Sequence, residues 1–329
     1  MSLSVCMIVK DEAATLRRAL ECAFSVADEV IVVDTGSKDG SADIARSMGA
    51  KVYSYEWQND FSAARNYSFS LASCEYAMWL DADDVICEKD AGEIRAIAER
   101  GGFDVAMLRY ISGPLLYYRE RIVRCGAGLV WQGVVHEAIV PRGKIIYSAA
   151  AVLHKKVKPA DPMRNLNIYQ YHIARGLCLD ERQKFYYGRE LYYNNMLRQA
   201  AAVLSDFMRG GGWNINKAEA CRILYFCHKL AGERAVALDW LVRSFLYVTP
   251  RARDCCLLAD EFFASRNYEC ARFWYLQAMN SRERAEEGGF VDRAFFTRVP
   301  AKGMAAVCGA LGDVEGRDRW LRAANGADR

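Results

Sequence analysis

The sequence predicts two domains of different class: an α/β domain with a mostly parallel sheet over residues 1–160, and an all-α domain over residues 161–329. Three observations predict this. Apolar, β-rich runs alternate with helix-period segments over the first 85 residues, and strand-like pieces separated by Gly and Pro follow from residue 104. Beyond about Met163 the apolar spacing is helical, with Pro250 the one proline before residue 299. KKVKPADP (155–162), charged and carrying two prolines, reads as the linker. A chain of 329 residues, 52% hydrophobic and 26% charged, is large enough for both domains.

In chain order, SVCMIV (4–9) reads as a strand, and Thr15 to Phe24 as a helix with Leu16, Ala19, Leu20 and Ala23 on one face. EVIVVD (29–34) is a second strand. TGSKDGS (35–41) has turn chemistry, and ADIARSMG (42–49) reads as a helix ended by Gly49. KVYSYEW (51–57) is a short strand, FSAARNYSFSLAS (61–73) a helix, and EYAMWL (75–80) a fourth strand. Near-continuous apolar strands imply a buried parallel sheet covered by helices. The pieces DVAMLRYI, GLVWQGVVHEAIVP and KIIYSAAAVLH suit an antiparallel extension of it.

The helical half repeats. ALDWLVRSF (237–245) and ARFWYLQAM (271–279) superimpose at a period of 34, matching Ala237 with Ala271 and Trp240 with Trp274. A weaker copy, AAAVLSDFM (200–208), lies 37 residues earlier, the surplus falling in Gly210-Gly211-Gly212. A helix-turn-helix period of 34 is the tetratricopeptide spacing, in which small residues allow close helix contact and aromatics fill the seam.

Bulk properties exclude some partners. The net charge is +3 and no Lys/Arg run forms a basic stripe, so no nucleic-acid partner is expected. Twelve cysteines without a C-x-x-C pair read as reduced core residues. The apolar run before Lys10 is too short for a signal segment or a transmembrane span, and a cytoplasmic protein is expected.

In open sheets of this kind ligands gather at the carboxyl ends of the strands. Here those ends carry Lys10 to Glu12, Asp34 to Ser37 and Asp81 to Asp84. Asp81-Ala-Asp83-Asp84 could hold one hard divalent cation, since Mg²⁺ and Mn²⁺ prefer such oxygen ligands. Taken alone, the pattern is more often an acidic turn, since Asp side chains bond their own backbone there. A D-x-D-x-T phosphotransfer motif is set aside because the fifth position is Val85.

MIVKDE, VVDTGSKDGS, WQNDFSAARNYSF, YAMWLDADD and GVVHEAIVP, in this order, resemble the family-2 nucleotide-sugar glycosyltransferases with a GT-A fold, whose sheet is Rossmann-like and mostly parallel. More closely, they look like the branch with a helical-repeat C-terminal domain that includes peptide S-glycosyltransferases of the sublancin type. The resemblance covers residues 1 to about 160, and the repeats more loosely.

It implies that Glu12 and Asp34 line the nucleoside pocket, and that Asp60, Arg65 and Asn66 lie near the diphosphate and donor sugar. Asp81 would reach ribose or metal, with Asp83 the principal ligand of Mn²⁺ or Mg²⁺ and Asp84 supporting it. His136 would neighbour metal or phosphate, His154 would face the metal, and Glu137 would be the general base. The chain departs from the family at Thr35, where a second acid is common, and at Lys155-Lys156, where an aromatic and a glycine are.

The implied activity is an inverting, metal-dependent transfer of sugar from a nucleoside diphosphate, with a UDP-sugar as donor. The helical repeats would bind a peptide or protein acceptor, or a second subunit as a homodimer. The competing reading is a non-enzymatic repeat scaffold with a degenerate nucleotide-binding domain. Trp57 and Trp131 read as core residues.

Overall fold

The computed structural model describes residues 3–113, 115–155, 157, 161–282 and 291–326. Two compact units result, Met1–Cys178 and Leu179–Arg329.

The first unit opens with β1 (Leu3–Val9), α1 (Ala13–Val26), β2 (Glu29–Asp34), α2 (Ser41–Ser47), β3 (Lys51–Ser54), α3 (Phe61–Ser70) and β4 (Tyr76–Trp79). These strands pair in parallel in the order β3-β2-β1-β4. Helices cover both faces, which is why the strands are apolar almost throughout. Along β1, Leu3, Val5, Met7 and Val9 pack toward Leu16 and Leu20 of α1, while Cys6 faces Trp79 and the α3 side.

The chain continues through β5 (Asp84–Val85), α4 (Glu88–Arg100), β6 (Val105–Ser112), β7 (Leu115–Arg124), β8 (Trp131–Gln132), β9 (Ala138–Ile139), β10 (Ile145–His154) and α5 (Arg164–Ile173). The sheet extends as β4-β7-β6-β10-β5. β7 is antiparallel to both β4 and β6, as expected of this half, but β10 runs parallel to β6. α4, which buries Ala91, Ile94, Ile97 and Ala98, and β7 are not among the elements read from the sequence.

WQGVVHEAIVP is not one strand. β8 and β9 form a two-residue ladder, and the chain turns between them with Gly133 at φ 97° and His136 at φ 53°. Only glycine adopts such a φ freely, so Gly133 permits the reversal.

α5 belongs to the first unit rather than to the helical domain. Its Tyr169 hydroxyl donates to the Val135 carbonyl at 3.4 Å, and His172 Nε2 lies 2.9 Å from the Asn59 carbonyl. The division therefore falls at 178/179, later than the 160/161 of the sequence reading. Residues 156 and 158–160 of the expected linker lie outside the described residues.

The second unit is built of helical hairpins: α6 (Glu181–Tyr193) with α7 (Leu197–Arg209), α8 (Asn214–Leu230) with α9 (Arg234–Arg243), α10 (Ala252–Ala264) with α11 (Tyr268–Asn280), and α12 (Arg298–Ala310) with α13 (Val314–Gly326). The repeat copies fall on α7, α9 and α11. Ala200, Ala237 and Ala271 are buried, as are Leu204, Leu241 and Tyr275 four positions on. One helical turn separates these two positions, so both face the same seam. Trp240 and Trp274 are only half-buried, and Trp274 stacks on Phe245 at 6.3 Å.

Among the described residues no helix is long and apolar enough to cross a membrane. All cysteines are free thiols. Cys6, Cys74, Cys221, Cys227, Cys255 and Cys256 are buried as expected, whereas Cys87 and Cys178 are exposed.

Candidate active site

Because β2, β1 and β4 are adjacent and parallel, the loops leaving their carboxyl ends meet. The loops after β1 and β2 are knitted together: Lys38 N donates to Asp11 Oδ1 at 2.6 Å, Asp11 N to Ser37 Oγ at 2.9 Å, and Glu12 N to Ser41 Oγ at 2.8 Å. The Asp34 carboxylate accepts from Ser37 N at 3.1 Å, and Glu12 accepts from Thr15 Oγ1 at 3.1 Å. Both acids are half-exposed at the carboxyl ends of the interior strands β1 and β2.

Asp60 caps α3, accepting from Ala63 N at 3.0 Å and Ser62 Oγ at 2.7 Å, and so fixes where the helix begins. One turn on, Arg65 is buried at 7% exposure. Its Nε donates to Glu137 Oε1 at 2.7 Å and its Nη2 to Asp81 Oδ1 at 2.9 Å. The guanidinium lies 5.0 Å from the Trp79 ring and 4.9 Å from the Trp131 ring. Burial raises the pKa of Asp81, but the Arg65 and Arg121 guanidinium groups outweigh it and hold the carboxyl below its usual range.

Asn66 clamps the turn that carries Glu137. Its Nδ2 donates to the Trp131 carbonyl at 3.0 Å, and its Oδ1 accepts from Trp131 N at 2.8 Å. Arg119 adds a donor to the Glu137 carbonyl at 3.3 Å.

A second cluster adjoins the first through the Asp81–Asp84 loop. Asp83, Asp84 and His154 bring one potential ligand atom each to within 4.8 Å of one another. The antiparallel β5/β10 ladder sets this up by pairing Asp84 with His154 in register. His154 Nδ1 lies 3.3 Å from Asp83 Oδ1 and 3.4 Å from Asp84 Oδ1. Hydrogen bonding to Asp83, then to Asp84, pushes the imidazole pKa up to about 10. Asp84 is fully buried and accepts from Tyr110 Oη at 3.1 Å, Arg121 Nη1 at 3.0 Å and Asp81 N at 3.2 Å.

The donor set fits a divalent cation. Two carboxylates and an imidazole suit Mn²⁺, and the oxygens suit Mg²⁺; Asp83 and His154 are partly exposed, which leaves room for phosphate oxygens.

Of the residues singled out in the sequence, Arg65, Asp81 and Glu137 form one cluster and Asp83 and His154 another. His136 is not in the Asp83–Asp84–His154 group; it sits in the β8/β9 turn. Sequence reasoning missed Tyr110, Arg119 and Arg121. The available signal was Arg119-Glu120-Arg121, three charges in succession between apolar residues.

Residues 4–124 match the family model described as Glycosyl transferase family 2. That match lies wholly within the first unit, Met1–Cys178. A TPR repeat-containing protein of Synechococcus elongatus is 36% identical over 141 residues, 42% of this chain and 35% of that protein. The SPbeta prophage-derived glycosyltransferase SunS of Bacillus subtilis is 28% identical over 206 residues, 56% of this chain and 48% of that one. The matched stretches thus span about half or less of these relatives. Among solved structures, S. aureus TarS 1–349 in complex with UDP-GlcNAc is similar at 14% identity and a TM-score of 0.43, over 75% of this chain and 91% of that one. Every residue of the Arg65 cluster except Glu137 lies inside the family 2 match, and so do Asp83, Asp84 and Arg121.

Proposed function

We propose that this chain is a glycosyltransferase that moves a sugar from UDP to a polypeptide acceptor with inversion at the anomeric carbon. The observation that carries the reading is the meeting of two acid clusters, Arg65 with Asp81 and Glu137, and Asp83 with Asp84 and His154, at the strand ends of a family 2 domain. Glu12 and Asp34 take the base and ribose, since carboxylates accept from uracil N–H and ribose hydroxyls. Asp83, Asp84 and His154 hold Mn²⁺ or Mg²⁺. A bound cation supplies charge neutralisation for the departing diphosphate.

Glu137 is the base that takes the acceptor's proton. Arg65 acts on it as a positioning residue, because its Nε and Nη2 are engaged by Glu137 and Asp81 rather than open to phosphate. Asp60 and Asn66 support the site by capping α3 and clamping Trp131. His136, outside the cation group, is assigned to the donor phosphates. Hairpin stacks bind extended peptides on their surfaces, which is why the second unit is assigned the polypeptide acceptor.

The test is a screen of UDP-sugars with Mn²⁺, reading donor hydrolysis, thermal stabilisation by ligand and mass shifts on candidate acceptors. Glu137→Gln should keep donor binding and lose transfer. Full transfer by that variant sinks the base assignment. The absence of donor consumption and of stabilisation with every metal and sugar would instead support a scaffold.

A further inference from the structure

We propose that Arg121 is a positioning residue that, with Tyr110, aims the Asp84 carboxylate so that a divalent cation meets a preformed corner. This rests on the cation reading above.

The argument starts from a register shift. β7 pairs Ile122 with Ala106 and then Glu120 with Met107, so Arg121 is the extra residue of a β-bulge. The antiparallel β4/β7 ladder stops at the neighbouring point, Met78 opposite Ile122. A bulge leaves one residue out of the ladder and re-aims its side chain, and such devices concentrate beside active sites. Here the re-aimed side chain reaches the end of β4. Arg121 Nη1 donates to the Trp79 carbonyl at 3.1 Å and to Asp84 Oδ2 at 3.0 Å. Trp79 Nε1 answers with a bond to the Glu120 carbonyl at 2.6 Å, so bulge and strand end lock each other.

Arg121 is fully buried, and its Nε and Nη2 have no hydrogen-bond partner among the described residues. The guanidinium instead lies against aromatic faces, 3.4 Å from the Trp79 centroid and 4.6 Å from that of Tyr110. Orphaned buried donors are costly, and replacing the whole buried Arg121–Asp84 pair by apolar side chains of similar volume is often neutral or stabilising. Stability alone therefore gives no reason for this buried pair. A reason appears at its far end. Each Asp84 oxygen has its own fixed donor, Tyr110 Oη on Oδ1 and Arg121 Nη1 on Oδ2. Both oxygens are thus held in place, with Oδ1 turned to His154. Partners behind a metal ligand that fix its orientation change metal affinity by about 10- to 100-fold when lost.

The experiment is Mn²⁺ titration of the full chain without donor, following free Mn²⁺ by electron paramagnetic resonance, for wild type, Arg121→Gln, Arg121→Lys, Tyr110→Phe and Asp84→Asn. Urea unfolding in metal-free buffer reports whether each variant is folded. Arg121→Gln should weaken Mn²⁺ binding by about 10- to 100-fold. Arg121→Lys, which keeps the charge but not the planar fork, should fall between it and wild type. Combining Arg121→Gln with Asp84→Asn should add no further loss, because the arginine acts through that carboxylate. If Arg121→Gln does not fold, Tyr110→Phe removes the other donor to Asp84 at almost constant volume, and a several-fold loss is expected. Wild-type affinity in a folded Arg121→Gln, or in Tyr110→Phe where the former does not fold, overturns the proposal. So does full additivity with Asp84→Asn. Wild-type protein that takes up no Mn²⁺ overturns the cation reading itself.

Discussion

Arg65 and Glu137, 72 positions apart in the chain, meet at 2.7 Å, and the same guanidinium holds Asp81 at 2.9 Å. One buried cation thus ties a helix, a strand end and a turn together. Arg65→Leu leaves two carboxylates facing each other without their counter-charge, and should cost about 3–5 kcal/mol of folding stability. Arg65→Lys should cost less, because the charge stays while the fork is lost. Urea unfolding checks both, and wild-type stability in Arg65→Leu contradicts the bridging role.

Asp83 is about a quarter exposed, and its side chain is not a packing element. Asp83→Asn should therefore fold like wild type yet lose the rise in melting temperature that Mn²⁺ gives the native state, a rise that follows RT ln(1 + [L]/Kd). Differential scanning fluorimetry with and without Mn²⁺ measures it. An undiminished rise places the cation elsewhere.

Glu29, at the start of β2, gives an acid-sensitive contribution to stability. Burial raises its pKa, but hydrogen bonds from Lys51 at 2.6 Å, Ser4 and Ser73 outweigh that and lower it from 4.5 to about 2. A depressed carboxylate stabilises the fold above its unfolded pKa and loses that contribution as pH falls through its folded one. The loss should run from about pH 4.5 down to about pH 2. Glu29→Gln should be about 1–3 kcal/mol less stable at pH 7 and should flatten this part of the stability profile in denaturant titrations.

Two glycines on α12 should respond oppositely to alanine. A Cβ on Gly303 would meet the buried Tyr275 ring at 2.2 Å, so Gly303→Ala should destabilise by about 1–3 kcal/mol. On Gly309 the nearest atom would be Arg317 Cδ at 3.7 Å, an ordinary contact, and helix propensity should stabilise Gly309→Ala by about 0.5–1 kcal/mol. Thermal unfolding decides, and equal signs would contradict the packing described for α11 and α12.

The parallel half of the sheet was legible because β1, β2 and β4 are buried on both faces and therefore apolar throughout. β7 was not, because Arg119, Glu120 and Arg121 interrupt its apolar run with charges that face partners inside the unit. GVVHE looks like a strand by its valines, but backbone dihedrals at Gly133 and His136 make it a turn, and composition does not report dihedrals. Motif order pointed to Arg65, Asp81, Asp83 and Glu137 individually. That Arg65 joins Glu137 to Asp81, and that Asp84 is the most enclosed member of its cluster, depend on contacts across 16 to 72 positions, which no local pattern carries. The alanine repeat was legible because close helix packing demands small side chains at fixed intervals.

The β5/β10 pairing places Asp84 against a histidine 70 residues later. Synthesis proceeds from the amino terminus, so the four parallel strands emerge and can associate well before His154 leaves the ribosome. The nascent first unit therefore passes through a stage in which the acidic loop is already made but its imidazole partner is not. The Asp83–Asp84–His154 corner is therefore completed only by β10, the last strand of the first unit to be translated.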